Sequence, residues 1–321
     1  MNAPSRILVI KLSALGDMIL AMAAFERIRA AHPGALITLL TTPPYEGLAR
    51  ACGYFDAVEI DGRPRGVVGF LSLVRRLRGA RYDLVYDLQT NDRTNLLFQA
   101  LRPSPPAWSG TAFGSSLPAR DPQRMRRHTL ERQARQLQAA GAWPDAPTTD
   151  GVAPPPDLRW LIGEPPLRQN PPLALLAPGA SPKRPAKLWP VEFYGELAAR
   201  LIAGGFAAAV VGGEAERPLA RIVAAAAPEI QDLTGATDFA ALARLASSAS
   251  LAIGNDTGPM HIIAGAGTPS VVLFSSDSDP ALCAPRGRVR VLRRASLASL
   301  PVETVHAEAM SLISSREAAR P

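Results

Sequence analysis

Short apolar runs recur along the chain, each followed by a turn and then by a stretch with apolar residues three and four apart. The first run, Arg6–Ile10, is rich in Ile, Leu and Val, as suits a parallel strand buried on both faces. An amphipathic stretch from about Asp17 to Ala31 follows and ends at His32-Pro33-Gly34. The pattern then predicts strands at Ala35–Thr41, Ala57–Ile60 and Asp83–Asp87, with helices at Tyr45–Cys52 and Val67–Arg78 between them. The last of these strands delivers Asp87, Gln89 and Asn91 to a loop. Strand alternating with helix in this way predicts an open parallel sheet with helices on both faces.

Nine prolines between Pro144 and Pro172 interrupt the alternation and leave little room for regular structure. Beyond them it restarts, with strands predicted at Leu173–Ala177, Ala207–Val211, Leu251–Ile253 and Ser270–Phe274, the last closing the sheet. Helices are predicted at Val191–Ala203, Pro218–Ala227, Asp238–Ser247 and Met260–Ala266. A further helix, about Val302 to Ser315, is free in the sequence to pack back across the first domain. A chain of 321 residues also exceeds the usual size of one hydrophobic core. The expected organisation is an N-terminal Rossmann-like domain at 1–150, a proline-rich linker at 151–172 and a C-terminal Rossmann-like domain at 173–321. In this α/β class two doubly wound sheets face across a cleft at the carboxyl ends of their strands.

Composition narrows the function classes. Hydrophobic residues make 47% of the chain and charged residues 20%, which is ordinary for a globular protein. Cys52 and Cys283 lie far apart without a CxxC or Cys/His cluster, so neither a disulfide framework nor a structural zinc is expected, and a reducing cytoplasm is. Residues 1–20 do not read as a secretory signal, because Lys11 interrupts the apolar run at once. No run approaches the roughly 18 apolar residues of a membrane span. Charge is uneven: residues 1–150 hold 19 Lys and Arg against 13 Asp and Glu, whereas the remainder holds 16 against 15. Nearly all of the net +7 therefore sits in the first half, which suggests an anionic partner there or simply an arginine-rich solvated surface. Nucleic acid is a poor candidate, since aromatics are only 6% and no basic–aromatic strand pattern or helix-turn-helix is present.

Four turns carry candidate chemistry. In Lys11-Leu-Ser-Ala-Leu-Gly16-Asp17, Asp17 stands at the start of the first helix, where the dipole favours the anion and suits a general base. The same residue type also caps helices, so this turn alone leaves both roles open. No GxGxxG is present to suggest a dinucleotide. The loop Pro178–Pro190 holds Ser181, Lys183, Arg184 and Lys187, including two of the three lysines in the chain, and leads into a helix N-terminus. A diphosphate suits such a loop, and a solvated basic loop is the plain alternative. Val210-Val-Gly-Gly-Glu214-Ala-Glu216 ends a strand in a glycine turn, so Glu214 or Glu216 either accepts ribose hydroxyls or decorates a helix start. Last, Asn255-Asp256-Thr257-Gly258-Pro-Met-His261 opens a helix whose free amides, with Thr257, can hold a second phosphate, and His261 lies close by.

Taken together and in order, Ile7–Asp17, Pro178–Pro190 and Asn255–Pro269 resemble glycosyltransferase family 9, the ADP-heptose:lipopolysaccharide heptosyltransferases. The resemblance covers nearly the whole chain and implies the GT-B fold. It implies an inverting reaction with no catalytic metal and no cofactor. Asp17 is then the general base, Lys187 a diphosphate ligand, Glu214 or Glu216 a ribose ligand, and Asp256, Thr257, Gly258 and His261 the nucleotide and sugar contacts. The implied partners are a nucleotide-sugar donor, ADP-heptose, and an anionic lipopolysaccharide core acceptor at the cytoplasmic face of the inner membrane. The chain departs from the family at Phe274-Ser-Ser-Asp-Ser-Asp-Pro280, where members read Gly-Pro-Thr-Asp-Pro.

Lys11, Gln89 and Arg93 near strand ends, and Arg63, Arg65, Arg120 and the run Arg124-Met-Arg-Arg-His128 in basic segments, are candidates for the acceptor. Guanidinium groups pair bidentately with phosphates and carboxylates, although each arginine also fits a solvated face. Two other readings stay open on the sequence. One is a nucleotide-sugar epimerase of GT-B-like fold; the other is a non-catalytic anion-binding protein.

Overall fold

The computed structural model describes residues 4–62, 66–147, 152–164, 166–167 and 169–317. The chain forms two compact units, Met1–Pro156 and Asp157–Pro321. In the first, the order is β1 (Arg6–Ile10), α1 (Leu15–Leu20), α2 (Met22–Ala31), β2 (Leu36–Thr41), α3 (Glu46–Ala51), β3 (Ala57–Ile60), α4 (Val67–Ala80), β4 (Leu84–Asp87), α5 (Asp92–Ala100), β5 (Ala107–Gly110), β6 (Leu117–Pro118) and α6 (Thr129–Ala139). Its six strands are all parallel, in the order β3-β2-β1-β4-β5-β6. Leu8, Ile10 and Val85 pack with Leu73, Leu77, Leu97 and Trp108 on one face. Ile7 and Val9 alternate to the other face and are equally buried. That two-sided burial explains why β1 reads as a continuous apolar run.

The second unit opens with a short helix, α7 (Arg159–Ile162), inside the proline-rich stretch. There follow β7 (Leu173–Ala177), α8 (Val191–Ala203), β8 (Ala207–Val210), α9 (Arg217–Ala226), β9 (Gln231–Asp232), α10 (Phe239–Ser248), β10 (Leu251–Asn255), α11 (Gly258–Gly265), β11 (Ser270–Phe274), α12 (Pro280–Cys283), β12 (Val289–Arg293) and α13 (Val302–Glu317). These strands are also parallel, in the order β12-β11-β10-β7-β8-β9. Counted from each unit's own first strand, the two sheets have the same strand order, that of a doubly wound dinucleotide-type sheet.

Three local expectations need correction. The first helical stretch is two helices, broken at Ala21, and Asp17 is the third residue of α1 rather than its cap, which is Ala14. Ser270–Phe274 does not close the second sheet, because β12 pairs beyond it along all five residues. Half-exposed and studded with Arg290 and Arg293, that edge strand lacks the apolar run that marks an interior one. The last helix belongs to the second unit: Val305, Ala309 and Leu312 of α13 join Leu197, Ile253 and Leu273 in its core.

Candidate active site

In each sheet the strand order reverses between the unit's first and fourth strands, β1 beside β4 and β7 beside β10. Loops leaving neighbouring strands at that point turn in opposite directions, and the gap between them is where open parallel sheets bind ligands. The loop after β1 carries Lys11 and leads into the first turn of α1 with Asp17, and the loop after β4 carries Gln89; those after β7 and β10 carry Ser181, Lys183, Lys187, Asp256 and Thr257. Three of the four turns thus lie at two switch points, and the fourth, with Glu214 and Glu216, follows β8 beside the second. A cavity of about 480 Å³ lined by Arg78, Arg81, Tyr82, Asp83 and Arg102 opens at the opposite, amino ends of β4 and β5. Arg78 there donates to the backbone oxygens of Ala100 and Arg102, a structural task, so the switch points are the better candidates.

At the first switch point the turn between β1 and α1 is held from both sides. Thr42 Oγ1, after β2, donates to Leu12 O at 2.7 Å. Gln89 Oε1, after β4, accepts from Leu12 N at 2.8 Å and Ser13 N at 3.3 Å. Asp17 Oδ2 accepts from Ala14 N at 3.3 Å, reaching back to one of the unpaired amides that begin a helix. Asp87, the last residue of β4, is fully buried, and Oδ1 accepts from Gln89 N at 3.1 Å and Thr90 N at 2.9 Å. Burial pushes its carboxyl up to about 6, against those two amides and the charge of Lys11. Lys11 is buried as well, its ammonium 3.4 Å from Leu88 O. Burial lowers its pKa, opposed by Asp17 and Asp87 and reinforced by Arg132 and Arg124.

The predicted acceptor residues do not form one cluster. Arg93 makes a two-pronged pair with the buried Asp61, at 2.9 and 2.8 Å. His128 caps α6, its Nδ1 accepting from Leu130 N at 3.3 Å. Arg120 is exposed on the segment after β6. Arg63 and Arg65 lie outside the described residues. Arg124, from the same basic run as His128, does reach the switch point, donating to Thr90 Oγ1 at 3.0 Å.

At the second switch point Lys187 Nζ meets Asp256 Oδ2 at 2.5 Å, both groups largely shielded from water. Ser278 Oγ donates to the same oxygen at 2.6 Å, so the segment that departs from the family pattern touches the site directly. Arg184 crosses to that segment too, donating to Asp277 O at 3.0 Å. Thr257 is the extended residue before α11 and Pro259 lies in the first turn of that helix; His261, in its next turn, is buried. A Cβ on Gly254 would come within 2.8 Å of Met260 and Ala177, so glycine is what lets β10 approach both neighbours. Ser181 and Lys183 are exposed on the loop after β7. Glu216 accepts from Gly213 N at 2.7 Å and packs over Gly179, while Glu214 pairs with Arg217 at 2.8 Å.

Comparison with known proteins decides the family. The family model for glycosyltransferase family 9 (heptosyltransferase) matches residues 70–293, more than half of the chain. The chain belongs to glycosyltransferase family 9. It is 27% identical over 319 residues to lipopolysaccharide heptosyltransferase 2 of Salmonella typhimurium, covering 90% of this chain and 88% of that protein. The solved E. coli ADP-heptose lps heptosyltransferase II is similar in fold at a TM-score of 0.75 and 21% identity, covering 97% of this chain and 99% of that one. An E. coli heptosyltransferase solved with ADP gives 0.76 at 19% identity, covering 96% and 99%. The two parallel sheets are thus the GT-B fold of this family, and the chain is a glycosyltransferase.

Within this family 9 chain, sequence reasoning gave no role to the residue that organises the second site. Asn255, at the end of β10 and fully buried, accepts from Trp189 N and Tyr194 Oη, both at 3.1 Å, and donates to Pro178 O at 2.7 Å. It ties both ends of the Pro178–Pro190 loop to the strand that carries Asp256. A polar residue ending an otherwise apolar strand was the signal available for it. Among the described residues no three of His, Cys, Asp and Glu gather as a metal group, and no helix is long and apolar enough to cross a membrane.

Proposed function

We propose that this glycosyltransferase transfers a heptose from ADP-heptose to an anionic lipopolysaccharide inner-core acceptor. The observation that carries the reading is the end-to-end match to lipopolysaccharide heptosyltransferase 2, with Asp17 at one switch point and Lys187, Asp256 and Thr257 at the other. Family membership disfavours the epimerase and non-catalytic alternatives.

In this reading the second unit binds the donor. Lys187 shares its ammonium between Asp256 and the diphosphate, and Thr257 with the Gly258 amide at the start of α11 takes the remaining negative charge. The first unit binds the acceptor. Asp17 removes the proton from the attacking sugar hydroxyl as its oxygen bonds to the anomeric carbon and the diphosphate leaves, in one inverting displacement. Charge on the leaving oxygen grows in the transition state, so Lys187 acts on rate as well as binding. These groups supply the charge stabilisation, and the reaction proceeds without a metal. Lys183 and Ser181 extend the donor site, and Glu214 or Glu216 meets the ribose after giving up its present partner. A nucleotide-sugar donor together with a lipid-borne acceptor suits an enzyme of the cytoplasm with peripheral contact at the inner membrane.

The test is a calorimetric screen of ADP-, UDP-, GDP- and CMP-sugars, followed by product analysis with heptose-deficient core lipid in EDTA. Binding of the ADP-sugar alone, and an inverted heptosyl product with chelator present, is expected. Preference for another base, or activity restored only by Mg²⁺ or Mn²⁺, overturns the corresponding part.

A further inference from the structure

A glutamine two residues beyond a switch-point strand invites the role of substrate ligand, and its geometry here is different. Two N–H donors, Leu12 N at 2.8 Å and Ser13 N at 3.3 Å, face one side-chain atom of Gln89, which fixes that atom as the carbonyl oxygen. Gln89 is itself held: its own N–H and that of Thr90 bond to Asp87 Oδ1 in an Asx-type turn, with Thr90 in the left-handed region at φ 46°. Asp87 is anchored in turn, its backbone oxygen accepting from Gln136 Nε2 at 2.8 Å. A chain of contacts therefore runs from the buried end of β4 to the two residues before Ala14, whose N–H meets Asp17. Ala14 offers no side chain to cap α1, so the position of Asp17 depends on how the preceding turn is held.

We infer that Gln89 is a positioning residue for the base: its amide oxygen fixes the turn between β1 and α1 in the geometry that presents Asp17 to the acceptor hydroxyl. The inference rests on the reading of Asp17 as the base. It assigns Gln89 to the rate of the chemical step and not to acceptor affinity.

Gln89→Leu removes the acceptor atom at nearly constant size. A base displaced by a fraction of an ångström to an ångström lowers kcat by about 10- to 10²-fold. The Michaelis constants for donor and acceptor should stay within about twofold, the signature of an interaction that matters only in the transition state. Hydrogen exchange at the Leu12 and Ser13 amides should accelerate, with the rest of the first unit as protected as in the wild type. Gln89→Glu retains an oxygen acceptor and should restore most of kcat and the slow exchange. In an Asp17→Asn background Gln89→Leu should cost nothing further, because the two act as one unit.

A raised acceptor KM at normal kcat would make Gln89 an acceptor ligand and overturn the inference. So would the full kcat loss persisting in the Asp17→Asn background. Unchanged exchange in Gln89→Leu, with Asp17→Asn inactive, would remove the clamp and leave the base standing. Asp17→Asn at wild-type rate would instead remove the base, and the inference would fall with it.

Discussion

The two units solve one construction problem with the same topology and different chemistry. Each ends its switch strand in a fully buried polar residue, Asp87 on β4 and Asn255 on β10. Asn255 is neutral and braces the opposite loop itself, through Trp189 N and Pro178 O. Asp87 is ionisable and braces its own following turn, so the bond to the opposite loop passes to Gln89. The neutral brace leaves its site's charge to groups beside it, the Lys187–Asp256 pair. The charged brace shares its surroundings with Lys11, Arg124 and Arg132. On the proposed reading, one site holds the donor's diphosphate and the other holds the base in place.

The largest effect expected from this contrast is on rate. Asp17→Asn should lower transfer by about 10²–10⁴-fold, the usual contribution of a general base, while ADP-sugar affinity stays at the wild-type value. Steady-state kinetics with calorimetry on the same preparation measures both. A variant with normal kcat would reduce Asp17 to a helix-start residue and erase the functional difference between the units.

Next comes stability against pH, where the two braces should diverge. The folded pKa of Asp87 is raised to about 6 by burial, from an ordinary carboxylate value of 3.8. Between those values the folded chain holds a proton that the unfolded chain has released, so stability falls as pH rises through the window. The loss is on the order of 3 kcal/mol when complete above about pH 6. Asp87→Asn keeps an oxygen for the Gln89 and Thr90 amides and should flatten that dependence. Urea titrations of both chains from pH 4 to 7 decide it; parallel profiles would mean that Asp87 ionises without penalty and that the braces are equivalent.

Much of this was legible in the sequence, and the missing parts share a cause. Continuous apolar runs identified β1, β4, β7, β10 and β11, because strands buried on both faces need nothing else. The turns holding Asp17, Lys187 and Asp256 were found because glycine, proline and charge punctuate them. The edge strand β12 was missed, having no such run. Partners were missed more consistently. Gln89 meets Leu12 across 77 residues, Arg93 meets Asp61 across 32, and Asn255 meets Trp189 across 66. Local pattern cannot tell a polar side chain engaged by distant backbone or carboxylate from one awaiting a ligand, and the predicted acceptor set mixed the two kinds.

A smaller effect is expected from the donor side. Lys187→Ala should weaken ADP binding by about 10- to 10²-fold, in line with about 1.5–3 kcal/mol for a charge-assisted hydrogen bond. It should also slow the chemical step, since the leaving diphosphate gains charge. The loop keeps its bonds to Asn255, but Asp256 loses its cation while shielded from water, so the thermal midpoint should also fall. Calorimetry with ADP reads the first effect and single-turnover rates the second; unchanged values for both would take the loop out of the site.

The smallest and most distributed effect concerns salt. Residues 1–150 carry 19 basic side chains against 13 acidic, and the rest of the chain 16 against 15. Several first-unit arginines are internally matched: Arg93 with Asp61, Arg29 with Asp56, Arg127 with Asp121. The charge left for a ligand therefore includes exposed groups such as Arg120; Arg63 and Arg65 lie outside the described residues. Exposed charges are screened over roughly 8–10 Å at 0.1–0.15 M salt, whereas shielded pairs such as Lys187–Asp256 are screened far less. Acceptor KM should accordingly climb with ionic strength more steeply than donor KM. Reversing Arg63, Arg65 and Arg120 together should raise acceptor KM and flatten its salt slope, with donor KM unchanged. The measurement is a salt titration of both Michaelis constants on the wild type and the triple variant. Equal slopes for the two substrates, or a normal acceptor KM in the variant, would mean that the basic half is arginine-rich surface and that the units differ in their buried chemistry alone.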